Sequence, residues 1–315
     1  MVTSRKWERF ADQRVREIKR RVKDGRAINA LSGGVDSSVV TILGHRALGK
    51  QLRTVWIDTG QMREGEEERV VATFKKLGVP VKVVRASSRF FKALKGAADP
   101  EKKRKKFRDT FYKVLGDEVR KWKAEFLLQG TIKADVLETK RGVKTQHNIL
   151  EQIGLDPQKG YGFFVIEPIK SLFKPEVREV ARALGLPEEI SQAMPFPGPG
   201  LATRVVGEAT PRRVEIVRKA CAIVEKETKR FRPFQAFAVS LTDRATGLGP
   251  KGRREFGEIV VVRSVESKDA MTASVTKLPW PALMRIQRRI CEEIPSVTKV
   301  LYDITPKPPS TIEYV

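Results

Sequence analysis

The sequence predicts an α/β fold, a doubly wound parallel sheet, followed by a smaller α+β unit. Three observations carry the prediction. From Ala27 to Gly185, short apolar runs alternate with helical stretches, the rhythm of βαβ units. That rhythm breaks at Pro195-Phe196-Pro197-Gly198-Pro199-Gly200, where three prolines and two glycines suit neither helix nor strand interior. Beyond the break, apolar runs are separated by turns as often as by helices. The chain therefore divides into segments 1–199 and 200–315, with no internal repeat.

The elements follow in order. Trp7, Phe10, Val15, Ile18 and Val22 recur at helical spacing and open the chain with an amphipathic helix, which Gly25 ends. Ala27, Ile28, Ala30 and Leu31 make a short apolar run without helical period, which suits a buried parallel strand. A Gly-rich turn leads to a helix reaching Leu48. Val55 to Asp58 is a second strand, Glu64 to Leu77 a helix stopped by Gly78, and Val81 to Val84 a third strand. A long basic helix spans Pro100 to Lys123, strands lie at Phe126–Gln129 and Phe163–Glu167, and a helix at Pro175–Leu184 ends at Gly185. The second segment holds helices at Pro211–Lys229 and Pro281–Ile294, and strands at Phe237–Leu241, Ile259–Val265 and Val300–Asp303.

The most informative local stretch is Leu31-Ser32-Gly33-Gly34-Val35-Asp36-Ser37-Ser38, set between a strand and a helix. Adjacent glycines let the backbone approach a ligand and turn successive N–H groups one way. The helix N-terminus adds partial positive charge, and Ser32, Ser37 and Ser38 add hydroxyls, so the stretch suits a phosphate or pyrophosphate. It lacks the lysine and spacer of a Walker A loop. Asp36 would repel phosphate by itself, and a Mg²⁺ bridging carboxylate and phosphates removes that conflict. A plain Gly-rich turn with a Ser/Asp cap is the structural alternative.

Composition narrows the classes. The 315 residues are 40% hydrophobic, enough for a core without disulfides. Cys221 and Cys291 are too far apart in sequence for a metal motif and point to a reducing compartment. The N-terminal stretch has no signal-peptide pattern and no apolar run approaches a membrane span; a soluble, cytoplasmic protein is expected. The net charge of +24, with basic runs at Arg14–Arg21 and Lys102–Lys106, has three readings: nucleic acid, an acidic protein partner, or the charged surface of a heat-adapted protein. Aromatic residues make up only 7% and do not interleave with the basic ones, so nucleic acid is the least favoured.

The octapeptide at Leu31–Ser38 resembles the signature of the ATP-pyrophosphatase (PP-loop) family. The rest of the chain resembles the GMP synthases within it. The resemblance runs through Gln129-Gly130-Thr131-Ile132 with Asp135 and Glu138, Lys144-Thr145-Gln146-His147-Asn148, Glu167-Pro168-Ile169-Lys170, and Phe173-Lys174-Pro175-Glu176. It continues in the proline-glycine hexapeptide, Met271-Thr272-Ala273 and the tail Lys307-Pro308-Pro309-Ser310-Thr311-Ile312-Glu313.

The resemblance implies a PP-loop adenine-nucleotide fold for 1–199 and a dimerisation and XMP-binding domain for 200–315. It implies that ATP and XMP give adenyl-XMP and pyrophosphate, and that ammonia then displaces AMP to leave GMP. ATP would sit on Ser32, Gly33, Gly34, Val35, Asp36, Ser37 and Ser38, with adenine near Asp58 and Mg²⁺ held by Asp36 and the phosphates. Lys144 would neutralise phosphate charge from a lid that also carries His147, with Lys170 and Lys174 as further candidates. Asp135 and Glu138 would position the lid, Mg²⁺ or ammonia. Lys307, Ile312 and Glu313 would reach XMP, with Gln235 and Lys299 as further contacts. Singly, each has a bland reading: a solvated helix start, a surface loop, a linker, a frayed end.

The family pattern is departed from at Ala193 and Lys299, where it has arginine, at Gln146 and the lid residues after Asn148, and at Val275. Neither cysteine lies in the elbow of a class I glutaminase, and the histidines are only His45 and His147. Ammonia is therefore expected from a separate glutamine amidotransferase subunit or from solution. Competing readings are a PP-loop enzyme adenylating a tRNA base and a nucleotide-binding regulator without chemistry.

Overall fold

The computed structural model describes residues 2–140, 163–248, 252–268 and 270–315; side chains at 2–4 and 138–140 lie outside the description. It contains two compact units. The first comprises Met1–Asp58, Glu66–Ala86 and Phe111–Ala193, and the second Thr59–Gly65, Ser87–Thr110 and Met194–Val315.

The first unit is built on β1 (Ala27–Ala30), β2 (Leu52–Asp58), β3 (Val81–Arg85), β4 (Phe126–Leu128) and β5 (Phe164–Ile166). All pairs are parallel, in the order β3-β2-β1-β4-β5, as the alternating rhythm predicts. The helices are α1 (Val2–Val22), α2 (Val35–Leu48), α3 (Glu66–Lys76), the later part of α5 (Pro100–Trp122), α6 (Lys133–Lys140) and α7 (Lys174–Ala183). α2 is buried from Ser38 through Gly44 without interruption, because α1 and α7 both pack on it; an all-round apolar helix needs such cover.

The stop of α1 differs from expectation. Lys23, not Gly25, takes the left-handed conformation, with φ 52, and its N–H bonds Lys19 O at 2.9 Å. Gly25 answers a packing constraint instead: a Cβ there would lie 3.0 Å from Val22 O and 3.1 Å from Glu125 Oε1.

The second unit holds α4 (Ser87–Leu94), the start of α5, α9 (Pro211–Thr228), α10 (Trp280–Glu293) and β6 to β9; a short α8 (Glu188–Ser191) belongs to the first unit. β6 (Gln235–Leu248) and β7 (Arg254–Glu266) form a long antiparallel ribbon, β8 (Ser274–Val275) pairs antiparallel with β7, and β9 (Val297–Asp303) runs parallel to β7. Val214, Val217 and Val224 of α9 share one core with Phe237, Val239 and Val261. Both ribbon strands extend well beyond the apolar runs that predicted them. Their outer arms are mostly exposed and polar, so only the backbone ladder, not apolar burial, marks them as strand. α4 escaped the sequence reading for a similar reason: at eight residues it buries only Phe90 and Leu94.

The proline-glycine hexapeptide is packed rather than a linker. Gly200 has φ +64, and a Cβ there would sit 2.3 Å from Gln61 O. Leu201 N–H donates to the same carbonyl at 2.8 Å. A 3₁₀ turn, Gly200–Arg204, follows and is wholly buried. The buried Lys103 ammonium closes it by donating to Ala202 O and Val205 O.

The C-terminal tail is fixed by a second buried cation. Arg263 of β7 donates from Nε to Ile312 O at 2.9 Å, from Nη1 to Thr305 O at 3.0 Å and from Nη2 to Thr311 O at 2.7 Å. It also pairs with Asp303 Oδ2 at 2.6 Å. Ala273 and Lys307 exchange both backbone hydrogen bonds across the tail, at 3.0 and 2.7 Å. The tail is thus an ordered part of the unit and not a frayed end.

Replacing Arg263 by Leu leaves Asp303 and three carbonyls without their donor, so the unfolding free energy should fall by about 3–5 kcal/mol. Urea titration measures the loss, and hydrogen exchange should show protection disappearing first at Lys307 and Ser310, whose N–H groups bond Ala273 O and Pro306 O. Burial, with Arg213 nearby, lowers the Lys103 ammonium from 10.5 to about 8. Between these values the unfolded chain keeps a proton that the folded chain has released, so stability rises with pH across that window. Urea midpoints from pH 8 to 10 should therefore rise for the wild type relative to Lys103→Met; parallel curves would show that Lys103 keeps its proton.

Candidate nucleotide-binding site

β1 is the strand at which the order of successive strands reverses, with β2 on one side and β4 on the other. Open parallel sheets bind ligands at the carboxyl ends of the strands flanking such a reversal. The Ser32–Gly34 turn leaves β1 at that end. Gly33 has φ +79, and a Cβ there would lie 3.0 Å from Val70 Cγ2, so both conformation and space call for glycine. Gly34 is the N-cap of α2 and supplies no side-chain cap. The first turn therefore keeps its N–H groups for an external anion.

Hydroxyls hold the turn in shape. Ser37 Oγ donates to Gly34 O at 3.0 Å, accepts from Ser32 N–H at 3.1 Å, and lies 2.9 Å from Ser32 Oγ. Behind it runs a buried polar relay that sequence reasoning missed. Thr54 Oγ1 donates to Asn29 Oδ1 at 2.8 Å, Asn29 Nδ2 donates to Thr41 Oγ1 at 2.6 Å, and Thr41 Oγ1 donates to Ser37 O at 2.7 Å. The relay ties β2 and β1 to the first turn of α2. Its only sequence signal is polar residues inside otherwise apolar elements.

Asp36 and Lys174 come together: Nζ is 2.5 Å from Oδ2. The Lys174 charge thus balances the acid in the anion loop, a contribution the sequence reading assigned to a metal alone. Asp36 Oδ1 and Ser38 Oγ are buried without hydrogen-bond partners. Val35 is buried as well. Gly130, after β4, closes the other side of the crevice; a Cβ there would lie 3.1 Å from the Asp36 carbonyl carbon and 3.2 Å from Ser37 N. Among the described residues no three His, Cys, Asp or Glu side chains cluster. The unpartnered Asp36 Oδ1 nevertheless fits a Mg²⁺, which takes one carboxylate and completes its shell with phosphate oxygens and water.

The other expected residues separate. Asp58 ends β2 and pairs with Arg85 at 3.4 Å, while Arg85 also forks onto Glu67 at 2.5 and 2.7 Å. Asp135 accepts from Ile132 N–H at 3.0 Å in the first turn of α6. Lys170 is exposed and pairs with Glu167 at 2.6 Å. The Glu138 side chain, Lys144 and His147 lie outside the described residues.

In the second unit Glu313 and Gln235 meet, and Arg204 joins them. The Arg204 guanidinium is 3.3 Å (Nε) and 3.2 Å (Nη2) from the two Glu313 oxygens. Gln235 Nε2 donates to Glu313 Oε1 and, at 3.2 Å, to Pro195 O. Burial by itself would lower Arg204, but the Glu313 carboxylate outweighs it and leaves it raised; burial pushes the neighbouring Cys221 thiol up, so it faces the guanidinium uncharged. Lys307 Nζ donates to Ala270 O at 2.8 Å. The Ile312 side chain belongs to the core, and Lys299 lies exposed on β9. Sequence reasoning missed Arg204 and Arg263. Each stands inside an apolar run, Leu201–Val206 or Ile259–Val265, and a charge there must be paired.

A parallel sheet that opens at its reversal point onto an uncapped glycine-serine turn is the arrangement of the PP-loop synthetases. Comparison with known proteins agrees. The NAD synthase family model matches residues 7–199, and the GMP synthase C terminal domain model matches residues 223–314. The B subunit of the glutamine-hydrolyzing GMP synthase of Archaeoglobus fulgidus is 52% identical over 98% of this chain and 99% of its own length. Its counterpart in Methanocella arvoryzae is 52% identical over 97% and 98%, and that in Thermococcus kodakarensis 50% over 98% and 99%. A solved NH3-dependent NAD synthetase from Campylobacter jejuni covers 59% of this chain and 76% of its own, at 20% identity and TM-score 0.47. The chain belongs to the family of GMP synthase B subunits.

Gly130→Ala tests the crevice. The added methyl presses on the backbone of Asp36 and Ser37, so ATP affinity should fall by about 10- to 100-fold, with overpacking lowering the melting temperature by a few degrees. Titration calorimetry with ATP and a thermal melt separate the two effects.

Proposed function

We propose that the chain is the synthetase component of a two-chain GMP synthase, a ligase that aminates XMP to GMP at the expense of ATP. The near-full-length identity to the GMP synthase relatives carries this reading and disfavours adenylation of a tRNA base. In the reaction, XMP O2 attacks the α-phosphate of ATP, forming an O–P bond and releasing pyrophosphate. Ammonia then adds at C2, a proton is lost, and the C2–O bond breaks to release AMP and leave GMP. Adenylation matters because the unactivated oxygen is a poor leaving group.

The residues divide the work as follows. Ser32, Gly33, Gly34, Val35, Asp36, Ser37 and Ser38 form the ATP cradle, in which the backbone N–H groups at the start of α2 and the Ser32 and Ser37 hydroxyls face the phosphates. Asp58 lies on the adenine side. Lys174, and with it Lys170, Lys144 and His147, offsets phosphate charge. Asp36 would hold Mg²⁺ together with phosphate oxygens, and the ion would supply charge neutralisation at the pyrophosphate. Asp135 and Glu138 act from α6. Glu313, Gln235, Lys307, Ile312 and Lys299 form the XMP contacts, with 1–199 as the ATP-pyrophosphatase segment and 200–315 as the dimerisation and XMP-binding segment. The relatives are named as one subunit of a larger enzyme, which supports a separate partner chain; we assign to it the glutaminase that supplies ammonia, and to this chain a homodimer. Among the described residues no helix is long and apolar enough to cross a membrane.

Pyrophosphate release from ATP and Mg²⁺ with ammonium chloride tests the proposal. Release should require XMP, be absent with IMP or AMP, and match GMP formed one to one. Release without XMP, or no release at any ammonium concentration with or without the glutaminase chain, overturns it.

A further inference from the structure

Arg204 is fully buried, whereas about a fifth of the Glu313 side chain is exposed, with relative exposures of 0% and 21%. A ligand can therefore reach Glu313 but not Arg204. The guanidinium is locked on every side. Its centre lies 4.3 Å from the Phe237 ring and 5.1 Å from the Phe196 ring, and Nη1 is 3.6 Å from Cys221 Sγ. Its backbone sits in the 3₁₀ turn that Lys103 closes. The tail around Glu313 is fixed independently, since Arg263 holds the Thr311 and Ile312 carbonyls.

A carboxylate has about four acceptor positions. On Oε1 two are filled, by Arg204 Nη2 and Gln235 Nε2; on Oε2 one is filled, by Arg204 Nε. One position on Oε2 is left. Stability does not account for the arrangement, because a buried ion pair roughly breaks even against a well-packed apolar replacement. Fixing the direction of a carboxylate does account for it, because two parallel N–H donors define its plane.

We infer that Arg204 is a positioning residue for the nucleotide substrate: it orients Glu313 so that the remaining Oε2 acceptor takes one N–H or O–H of XMP. The inference rests on the assignment of Glu313 to the XMP site. Arg204 touches no substrate and acts only through Glu313.

A double-mutant cycle tests it, using Arg204→Met, Glu313→Gln and the double variant in the ammonium-driven assay with the full chain. Each single change should raise KM for XMP by about 10- to 100-fold, the range for a hydrogen bond to a charged group, with KM for ATP within about twofold. The double variant should be no worse than the weaker single, since both remove one oriented acceptor. If Arg204→Met does not fold, Arg204→Lys, which keeps the charge and loses the fork, gives the same cycle. Multiplying effects, or ATP and XMP constants rising together, overturn the positioning role. An unchanged XMP constant in Glu313→Gln, with XMP-dependent pyrophosphate release intact, overturns the inference alone. Absence of XMP-dependent release in the wild type overturns the underlying assignment instead.

Discussion

The first N–H groups of α2 are left without a side-chain cap, the condition an anion at a helix end requires, and the first unit is arranged around that open end. Gly34 at the N-cap offers no side chain to the turn. The three nearest hydroxyl-bearing side chains are kept from capping it: Ser32 and Ser37 bond each other and the turn, and Ser38 is buried. An uncapped turn loses about 1 kcal/mol of helix stability. Tertiary packing offsets that, since α2 is buried from both sides and Thr41 anchors its first turn through Asn29 to Thr54. Function and packing are therefore inseparable here: the buried relay allows an open helix end to stay ordered.

The same logic of compensation applies to charge. Asp36 in an anion site is unfavourable by itself, and Lys174 sits on one of its oxygens. In the second unit two guanidiniums lie where water cannot reach them, and each is matched by several acceptors rather than by one counter-ion. Arg263 engages three carbonyls and Asp303. Arg204 engages a carboxylate, a thiol and two aromatic faces. A buried guanidinium left with fewer partners would cost several kcal/mol. These contacts explain how a tail rich in proline stays ordered without a helix or a long strand of its own.

Much of the fold was legible because it rests on local rules. The parallel strands announced themselves as short apolar runs, and Gly78 and Gly185 stopped their helices with φ 75 and 79. The glycine-serine turn was legible because strand, paired glycines and helix follow one another directly. Where backbone pairing alone makes a strand, as in the outer arms of β6 and β7, the residues are mostly polar, and the few apolar ones, such as Leu248 and Phe256, are exposed, so no period survives. Lys23 hid the end of α1, because any residue enters the left-handed region when packing repays the strain.

The contacts of the tail were a different kind of problem. Its residues stood out as a motif, but periodicity has a range of a few residues, and Arg204 and Glu313 are 109 apart in sequence. What sequence does carry is the anomaly at each end: an arginine inside Leu201–Val206, an arginine inside Ile259–Val265, and a lone acid, Glu313, after an apolar residue. A charge in an apolar run requires a counter-charge or a set of carbonyls. A stretch of chain rich in free carbonyls and poor in its own hydrogen bonds can satisfy such an arginine. A tail with prolines at 306, 308 and 309 meets that description, because three of its residues have no N–H to donate while each carbonyl still needs a partner. That count of donors and acceptors accounts for Arg263, whose N–H groups reach the Thr305, Thr311 and Ile312 carbonyls, whereas Arg204 finds the Glu313 carboxylate, a pairing that only the fold brings about.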